Sequence, residues 1–192
     1  MQSNRSGHLT TVVVGLVFFL LLPDAGHSEP LSLVTGNDYL PYADEALPQG
    51  GLATAIVRQV LKAADIDHQE PDFKPWARAL METESTVYDA TFPFARSTER
   101  EQVQQYSEPF LSVTDTFFVR GDFPVTTLTP AHLEDQSVCR PLGYSQSSLQ
   151  ELKEAVSFNI ESPQGAAQCL SMLERGRVDF FFINELTGRH AI

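Results

Sequence analysis

The chain has 192 residues, of which 42% are hydrophobic and 20% are charged, and its formal net charge is −12. This composition is that of a globular protein, and the sequence contains no low-complexity tract, internal repeat or long charge run. The negative charge argues against nucleic acid and anionic membrane surfaces as partners, because both select basic patches.

The first residues have the pattern of a secretory signal peptide. One arginine precedes an apolar run from Leu9 to Leu22, about 14 residues, which is shorter than the roughly 20 residues that span a bilayer. We therefore predict that residues 1–28 are a cleaved signal peptide and that the mature chain begins near Glu29 in the periplasm. An uncleaved anchor is the alternative. No cysteine precedes Cys139, so the chain lacks the lipid-anchoring cysteine of a bacterial lipoprotein.

After the signal segment, strand-like and helix-like segments alternate, which predicts βα units and a largely parallel sheet. The first strand is expected in "PLSLVTG", and "GGLATAIVRQVLKAADI" predicts a helix that buries Leu52, Ile56, Val60 and Ala63. A second strand is expected in "HQEPDFKP" and a short helix in "WARALMETE". The segment "VYDATFPF" predicts a third strand, followed by a helix that begins at Thr98.

A long apolar strand in "FLSVTDTFFVRGDFP" predicts a crossing between two lobes, and the alternation then restarts. The expected elements are a short helix in "LTPAHLED", a strand in "SVCRP", a helix in "SQSSLQELKEA", a strand in "VSFNI", a helix in "SPQGAAQCLSMLERG" and a strand in "RVDFFFIN". We therefore divide the chain into lobe I, residues 29–120, and lobe II, residues 121–192. Two α/β lobes joined by extended strands enclose a cleft, and the C-terminal ends of strands point into it.

Two cysteines remain in a chain that is predicted to be exported, where oxidation is expected. Cys169 lies on the apolar face of its predicted helix, which Ser162 can cap and Gly176 can end. Cys139 lies in the strand predicted one unit earlier. A disulfide between the two is favoured, and two separate buried thiols are the alternative.

Five segments stand in a specific order along the chain. They are "TGNDYLPYADEALPQGGLATAIVRQVL", "FKPWARAL", "YDATFPFARSTEREQVQQYSEPF", "SVCRPLGYS" and "ERGRVDFFFINE". Together they resemble the family-3 periplasmic solute-binding proteins, which serve ABC transporters of polar amino acids. The resemblance covers essentially the whole chain after the signal segment. It implies an α/β, two-lobed periplasmic-binding-protein-like fold of type II, with a ligand cleft between the lobes.

The resemblance also gives a role to the arginines of "PFARSTER". In the family, an arginine after the third strand grips the ligand's α-carboxylate in a bidentate fork, a geometry for which guanidinium is suited. Arg100 is the matching residue. Because this segment is one residue shorter than in typical members, Arg96 is a competing candidate. The alternative is that both arginines only bracket an exposed helix start.

Four further residues are candidate ligand contacts. Tyr39 in "NDYLPY" matches the aromatic residue that covers the ligand side chain, and its alternative is packing within its own lobe. Trp76, the single tryptophan, is either a cleft wall or a plug of the lobe core. Tyr144 and Ser145 precede a predicted helix, where backbone N–H groups can receive an anionic ligand group.

One position departs from the family. In its amino-acid binders an aspartate at the end of the "RVDFFFIN" strand pairs with the ligand ammonium, whereas this chain has Asn184, which carries no charge. Glu185 can substitute only if the backbone turns it inward. Carboxylate-bearing solutes without an ammonium group therefore compete with zwitterionic amino acids as the expected ligand.

The chain is also shorter than family members, which return from the second lobe to complete the first, so we expect this return segment to be missing. We predict a monomeric periplasmic protein that captures a small carboxylate-bearing polar solute for an ABC permease, without cofactor or metal. One alternative is a periplasmic sensory module that reports to a partner. The other is a dehydratase-like enzyme on the same fold, with Glu99 or Glu185 as its acid or base.

Overall fold

The computed structural model describes residues 29–124 and 127–192. The predicted signal peptide, residues 1–28, lies outside the described residues. Within the described part, the chain forms two β-sheets with helices packed on them. None of the helices in these residues is long and apolar enough to cross a membrane.

Lobe I is built on a three-stranded parallel sheet. Its strands are β1 (Leu33–Gly36), β2 (Asp72–Lys74) and β3 (Ala90–Phe92), in the spatial order β2-β1-β3. Helix α1 (Leu52–Ala63) connects β1 to β2, and helix α2 (Trp76–Glu84) connects β2 to β3. All four residues of β1 are buried, as expected for the central strand of a sheet covered by helices.

Helix α1 buries a different face from the one predicted. Leu52 and Val60 are 48% and 56% exposed, whereas Ala53 is fully buried and Val57 packs against the core of lobe I. The backbone N–H of Ala53 donates to the carbonyl of Tyr42 at 2.9 Å, which fixes the start of the helix on this side. Two apolar stripes run along α1, and hydrophobic periodicity alone does not distinguish the buried one.

Lobe II is built on a four-stranded mixed sheet. Its strands are β4 (Asp115–Phe118), β5 (Ser137–Cys139), β6 (Asn159–Glu161) and β7 (Phe180–Asn184), in the spatial order β4-β7-β5-β6. Strand β4 is antiparallel to β7, and the other pairs are parallel. The helices are α3 (Ser147–Lys153), α4 (Ala166–Glu174) and α5 (Glu185–Ala191). Because β4 pairs with β7, the chain enters the second sheet before the predicted division at residue 120.

Some predicted elements are shorter in the structure. The helix expected from Thr98 is only a 3-10 turn, Arg100–Gln102, and none of its residues is buried, so no packing favours a longer helix. The helix expected in "LTPAHLED" is the 3-10 turn Pro130–Leu133. The long crossing strand is reduced to the four residues of β4. Helix α5 was not predicted, and Asn184 caps its N-terminus.

The predicted disulfide is confirmed. Cys139 and Cys169 are joined with an S–S distance of 2.03 Å, and their Cα atoms lie 5.6 Å apart. Both residues are fully buried and pack with Phe181 and Ile183, so the bond joins β5 to α4 inside the core of lobe II.

Reduction of this disulfide should lower the free energy of unfolding by roughly 3 to 4 kcal/mol, because the bond restricts the unfolded chain over a sequence separation of 30 residues. Urea unfolding of the oxidised and reduced protein, followed by circular dichroism, measures this difference. The matched control is the Cys139→Ala/Cys169→Ala variant, whose midpoint should not respond to dithiothreitol. Equal unfolding midpoints for oxidised and reduced wild-type protein would contradict the prediction.

Candidate functional site

The two lobes meet where the loop after β5 lies against the N-terminus of α2. Gly143 in this loop has a φ of +86°, and a Cβ there would lie 2.5 Å from the backbone nitrogen of Ala77 and 2.8 Å from the Cβ of Trp76. An L-residue therefore meets both an unfavourable backbone conformation and a steric clash at this position. The absence of a side chain at Gly143 allows the lobes to approach this closely.

Asp38 links the lobes at a second point. Its Oδ2 accepts a hydrogen bond from the backbone N–H of Ala166, the first residue of α4, at 2.8 Å. Its backbone oxygen accepts from the Tyr144 hydroxyl at 3.2 Å. A carboxylate is favourable at a helix N-terminus, where backbone N–H groups have no intrahelical partners. The prediction that Ser162 caps this helix was wrong, because the cap comes from the other lobe.

Three aromatic side chains fill the space between these links. The ring centroids of Tyr39, Trp76 and Tyr144 lie 5.5 to 5.7 Å apart in edge-to-face arrangements. Trp76 is 6% exposed and lies directly on Gly36, where a Cβ would come within 2.0 Å of its ring. The Nε1 of Trp76 is buried and has no hydrogen-bond partner among the described residues. Trp76 is therefore a nearly buried plug between the lobes.

The two tyrosines stay neutral at physiological pH. Burial raises the pKa of the Tyr39 phenol, and the nearby Asp115 carboxylate raises it further. Burial also raises the pKa of the Tyr144 phenol, and its neighbours Tyr39 and Asp38 act in the same direction. Both phenols thus keep their protons, and the Tyr144 hydroxyl uses its proton in the hydrogen bond to Asp38.

A cavity of about 210 Å³ lies between the lobes beside this aromatic cluster. It is smaller than the roughly 300 to 1,000 Å³ of pockets for drug-sized ligands, so it suits a small solute. Six of the predicted ligand contacts line it: Tyr39, Trp76, Arg96, Arg100, Tyr144 and Ser145. Residues from both lobes thus converge on one space.

Arg100 and Arg96 differ in what they contact. The Arg100 guanidinium donates to the carbonyl of Ala95 at 2.9 Å and to the carbonyl of Gly143 at 3.0 Å, and it lies over the Phe94 ring. It forms no ion pair within the described part of the chain. The Arg96 side chain is 63% exposed and forms an ion pair with Glu101. Of the two, Arg100 is therefore the arginine whose charge no ion pair neutralises among the described residues.

The sequence interpretation missed a third arginine in the cavity. Arg140 is 4% exposed, and its guanidinium donates to the Asp115 carboxylate at 2.8 Å, to the Ser145 carbonyl at 2.9 Å and to the Phe182 carbonyl at 3.2 Å. It follows β5 directly. A charged residue at the carboxyl end of a buried strand was the signal that could have identified it, because such strand ends face the cleft.

Asn184 does not line this cavity. It is 2% exposed, and its Oδ1 accepts a hydrogen bond from the backbone N–H of Thr187 at 3.0 Å. Its side-chain oxygen is thus engaged in capping α5 within lobe II. The predicted contact between Asn184 and a ligand stays a prediction.

A second cavity, of about 470 Å³, runs along β3 in lobe I. Its lining includes Phe92, Tyr106 and Phe110, and it shares Tyr39 and Arg96 with the inter-lobe cavity. The inter-lobe cavity remains the better candidate site, because guanidinium groups from both lobes converge there. Within residues 29–124 and 127–192, no group of three His, Cys, Asp or Glu side chains is placed to hold a metal ion.

No family model and no curated protein matches this sequence. Solved structures do match the fold. ArtJ, the arginine-, lysine-, histidine-binding protein of Geobacillus stearothermophilus, aligns with a TM-score of 0.70 at 16% identity, over 84% of this chain and 70% of that chain. Holo ArgBP from T. maritima aligns with a TM-score of 0.69 at 16% identity, over 83% and 71%. The chain has the two-lobed periplasmic-binding-protein fold.

A third match concerns a protein with a link to catalysis. The ancestral amino acid-binding protein AncCDT-1, a precursor of cyclohexadienyl dehydratase, aligns with a TM-score of 0.68 at 17% identity, over 84% of this chain and 72% of that chain. At such low identity, these likenesses establish the periplasmic-binding-protein fold and leave the ligand to be argued from the site.

Gly143→Ala should force the lobes of this periplasmic-binding-protein fold apart, because the new Cβ meets the backbone of Ala77. The single tryptophan, Trp76, reports the change, and its fluorescence emission should shift to longer wavelength as water reaches the ring. The matched control is Gly121→Ala, where a Cβ meets no atom within 4 Å. Identical emission from Gly143→Ala and wild-type protein would contradict this account of the lobe contact.

Proposed function

We propose that this protein is an exported solute-binding protein that captures a small, carboxylate-bearing polar solute of amino-acid type in the inter-lobe cavity. It then delivers the solute to an ABC permease in the inner membrane. The observation that carries the proposal is Arg100, a guanidinium without an ion-pair partner in the described residues that lines a small cavity between two lobes.

Arg100 is suited to exchange its present partners for a ligand carboxylate. It now donates to two neutral carbonyl oxygens, those of Ala95 and Gly143. Hydrogen bonds to a charged acceptor are roughly twice as strong as those between neutral groups, so a carboxylate is the better partner. Since Gly143 belongs to lobe II, this exchange would also couple ligand binding to the contact between the lobes.

The aromatic residues suit the remainder of such a solute. Tyr39, Trp76 and Tyr144 surround the cavity with apolar ring surface, while the Tyr39 phenol supplies a hydrogen-bond donor. Ligand pockets of this kind combine an apolar lining with a few polar groups that set orientation. The names of ArgBP and ArtJ, which describe amino-acid binding, support a ligand of the same class.

Two other functions share the fold. A periplasmic sensory module would use the same binding step and differ only in its partner. An enzyme would need an acid or base in the cavity, but neither Glu99 nor Glu185 lines it, and Glu185 pairs with Arg189 in α5. The acid that does line the cavity, Asp115, is ion-paired with Arg140. These contacts favour binding over catalysis.

Arg100→Ala should weaken binding about 30-fold to several thousandfold, or roughly 2 to 5 kcal/mol, because the ligand carboxylate loses a desolvated charged partner. Isothermal calorimetry of the mature protein should first identify a ligand among the standard amino acids, their deaminated analogues and small dicarboxylates. Arg100→Lys should recover only part of the loss, because an ammonium group cannot form the bidentate fork.

Two arginines serve as controls for this experiment. Arg96→Ala should cost less than about tenfold, and the loss should shrink at high salt, because this side chain is exposed and already paired. Arg189→Ala, in α5, should leave binding unchanged. The proposal fails if no compound of the set binds, or if binding is undiminished in Arg100→Ala.

A further inference from the structure

One acid lines the inter-lobe cavity among the described residues. It is Asp115, the first residue of β4, which shares this lining with Arg96, Arg100 and Arg140. The Asp115 side chain is 28% exposed, in contrast to 5% for the Arg140 side chain that it contacts. The carboxylate is therefore open to the cavity, whereas its guanidinium partner is almost fully enclosed.

Arg140 holds Asp115 in place. Its three hydrogen bonds, to Asp115, Ser145 and Phe182, fix the guanidinium, which also lies between the rings of Tyr144 and Phe182 at 5.3 and 4.9 Å. The Arg140 guanidinium thus already has three hydrogen-bond acceptors, all from its own lobe. It is poorly placed to take a second anionic group of a ligand and well placed to orient the carboxylate of Asp115.

Asp115 retains capacity to accept further hydrogen bonds. An ionised carboxylate offers about four acceptor positions on two oxygens. The contact with Arg140 uses Oδ2, and Oδ1 takes part in no hydrogen bond found among the described residues. A donor group in the cavity would find this oxygen accessible.

The pairing of β4 with β7 places Asp115 next to Asn184, the position at which the family's amino-acid binders have an aspartate. Asp115 lies directly opposite Asn184 in the antiparallel β4–β7 ladder. Residues directly opposite each other project on the same face of the sheet. Asn184 turns to the cap of α5, while Asp115 lines the cavity. The acidic group thus lies on the neighbouring strand, at the same level of the sheet.

We infer that Asp115, positioned by Arg140, is the specificity-determining residue that binds a primary ammonium group of the solute. This inference rests on the proposed function, in which Arg100 binds the carboxylate of the same solute. The ligand class is then a zwitterion, with its carboxylate toward lobe I and its ammonium group toward β4. Of the two competing ligand classes that the sequence left open, this inference favours the zwitterionic amino acids over carboxylates without an ammonium group.

The test compares three pairs of probes that differ only in the α-ammonium group: L-arginine with 5-guanidinopentanoate, L-glutamate with glutarate, and L-glutamine with 5-amino-5-oxopentanoate. In at least one pair, wild-type protein should bind the amino acid roughly 10- to 100-fold more tightly, as expected for a hydrogen bond between charged groups. Asp115→Asn should remove this preference and leave affinity for the deaminated probe within about threefold, because Asn keeps an acceptor for Arg140.

A second variant controls for misfolding, because Asp115→Asn alone leaves the buried Arg140 guanidinium without its ion-pair partner. Asp115→Asn/Arg140→Gln removes both charges together, and it should show the same loss of preference. Asp122→Asn is the matched control, since this exposed carboxylate lies outside the cavity lining, and it should retain the wild-type preference.

The outcomes separate the two proposals. If both members of every pair bind wild-type protein equally, or if the preference survives in Asp115→Asn and in the double variant, the role of Asp115 is overturned while carboxylate binding stands. If glutarate binds more tightly after Asp115→Asn, the cavity takes a second anionic group, and the inference is again overturned. If none of the six probes binds, the proposed function fails together with this inference.

Discussion

The seating of Gly143 against α2 fixes how the two lobes meet. Because this residue lacks a side chain, its loop can lie on Trp76 and Ala77, and Arg100 can reach the Gly143 carbonyl from lobe I. The same approach brings Tyr144 onto Tyr39 and Trp76. It also accompanies the contact of Asp38 with the N-terminus of α4. The position and size of the cavity therefore depend on this contact.

The charged side chains around the cavity differ in whether they already form an ion pair. Arg140 and Asp115 form a pair within lobe II, and Arg96 is paired with Glu101 at the exposed margin. Arg100 alone among the three cavity arginines has only carbonyl acceptors in the described residues. Since a neutral acceptor stabilises a guanidinium less than a carboxylate does, the site favours an anionic group at Arg100. The accessible oxygen of Asp115 then favours a cationic group on the opposite side.

Much of this arrangement could be predicted from the sequence, because local patterns determine it. Helix α2 has the predicted bounds. The alternation of strands and helices correctly predicted two α/β lobes, each built on a β-sheet. The buried face of α1 could not be predicted, because two apolar stripes compete and tertiary packing selects Ala53. Arg140 and Asp115 were missed since their pairing joins residues 25 positions apart, across separate strands. The role of Asn184 as the cap of α5 could not be predicted either, because the sequence pattern did not indicate that helix.

A crystal structure of residues 29–192 grown with their tightest-binding amino acid tests the central claim most directly. The account predicts that the ligand lies between the lobes, with its carboxylate on the Arg100 guanidinium and its ammonium group on the accessible oxygen of Asp115. In that complex, at least one of the present Arg100 contacts, to Ala95 or Gly143, is replaced. A ligand bound instead in the larger cavity along β3, with Arg100 still donating to both carbonyls, would contradict the account.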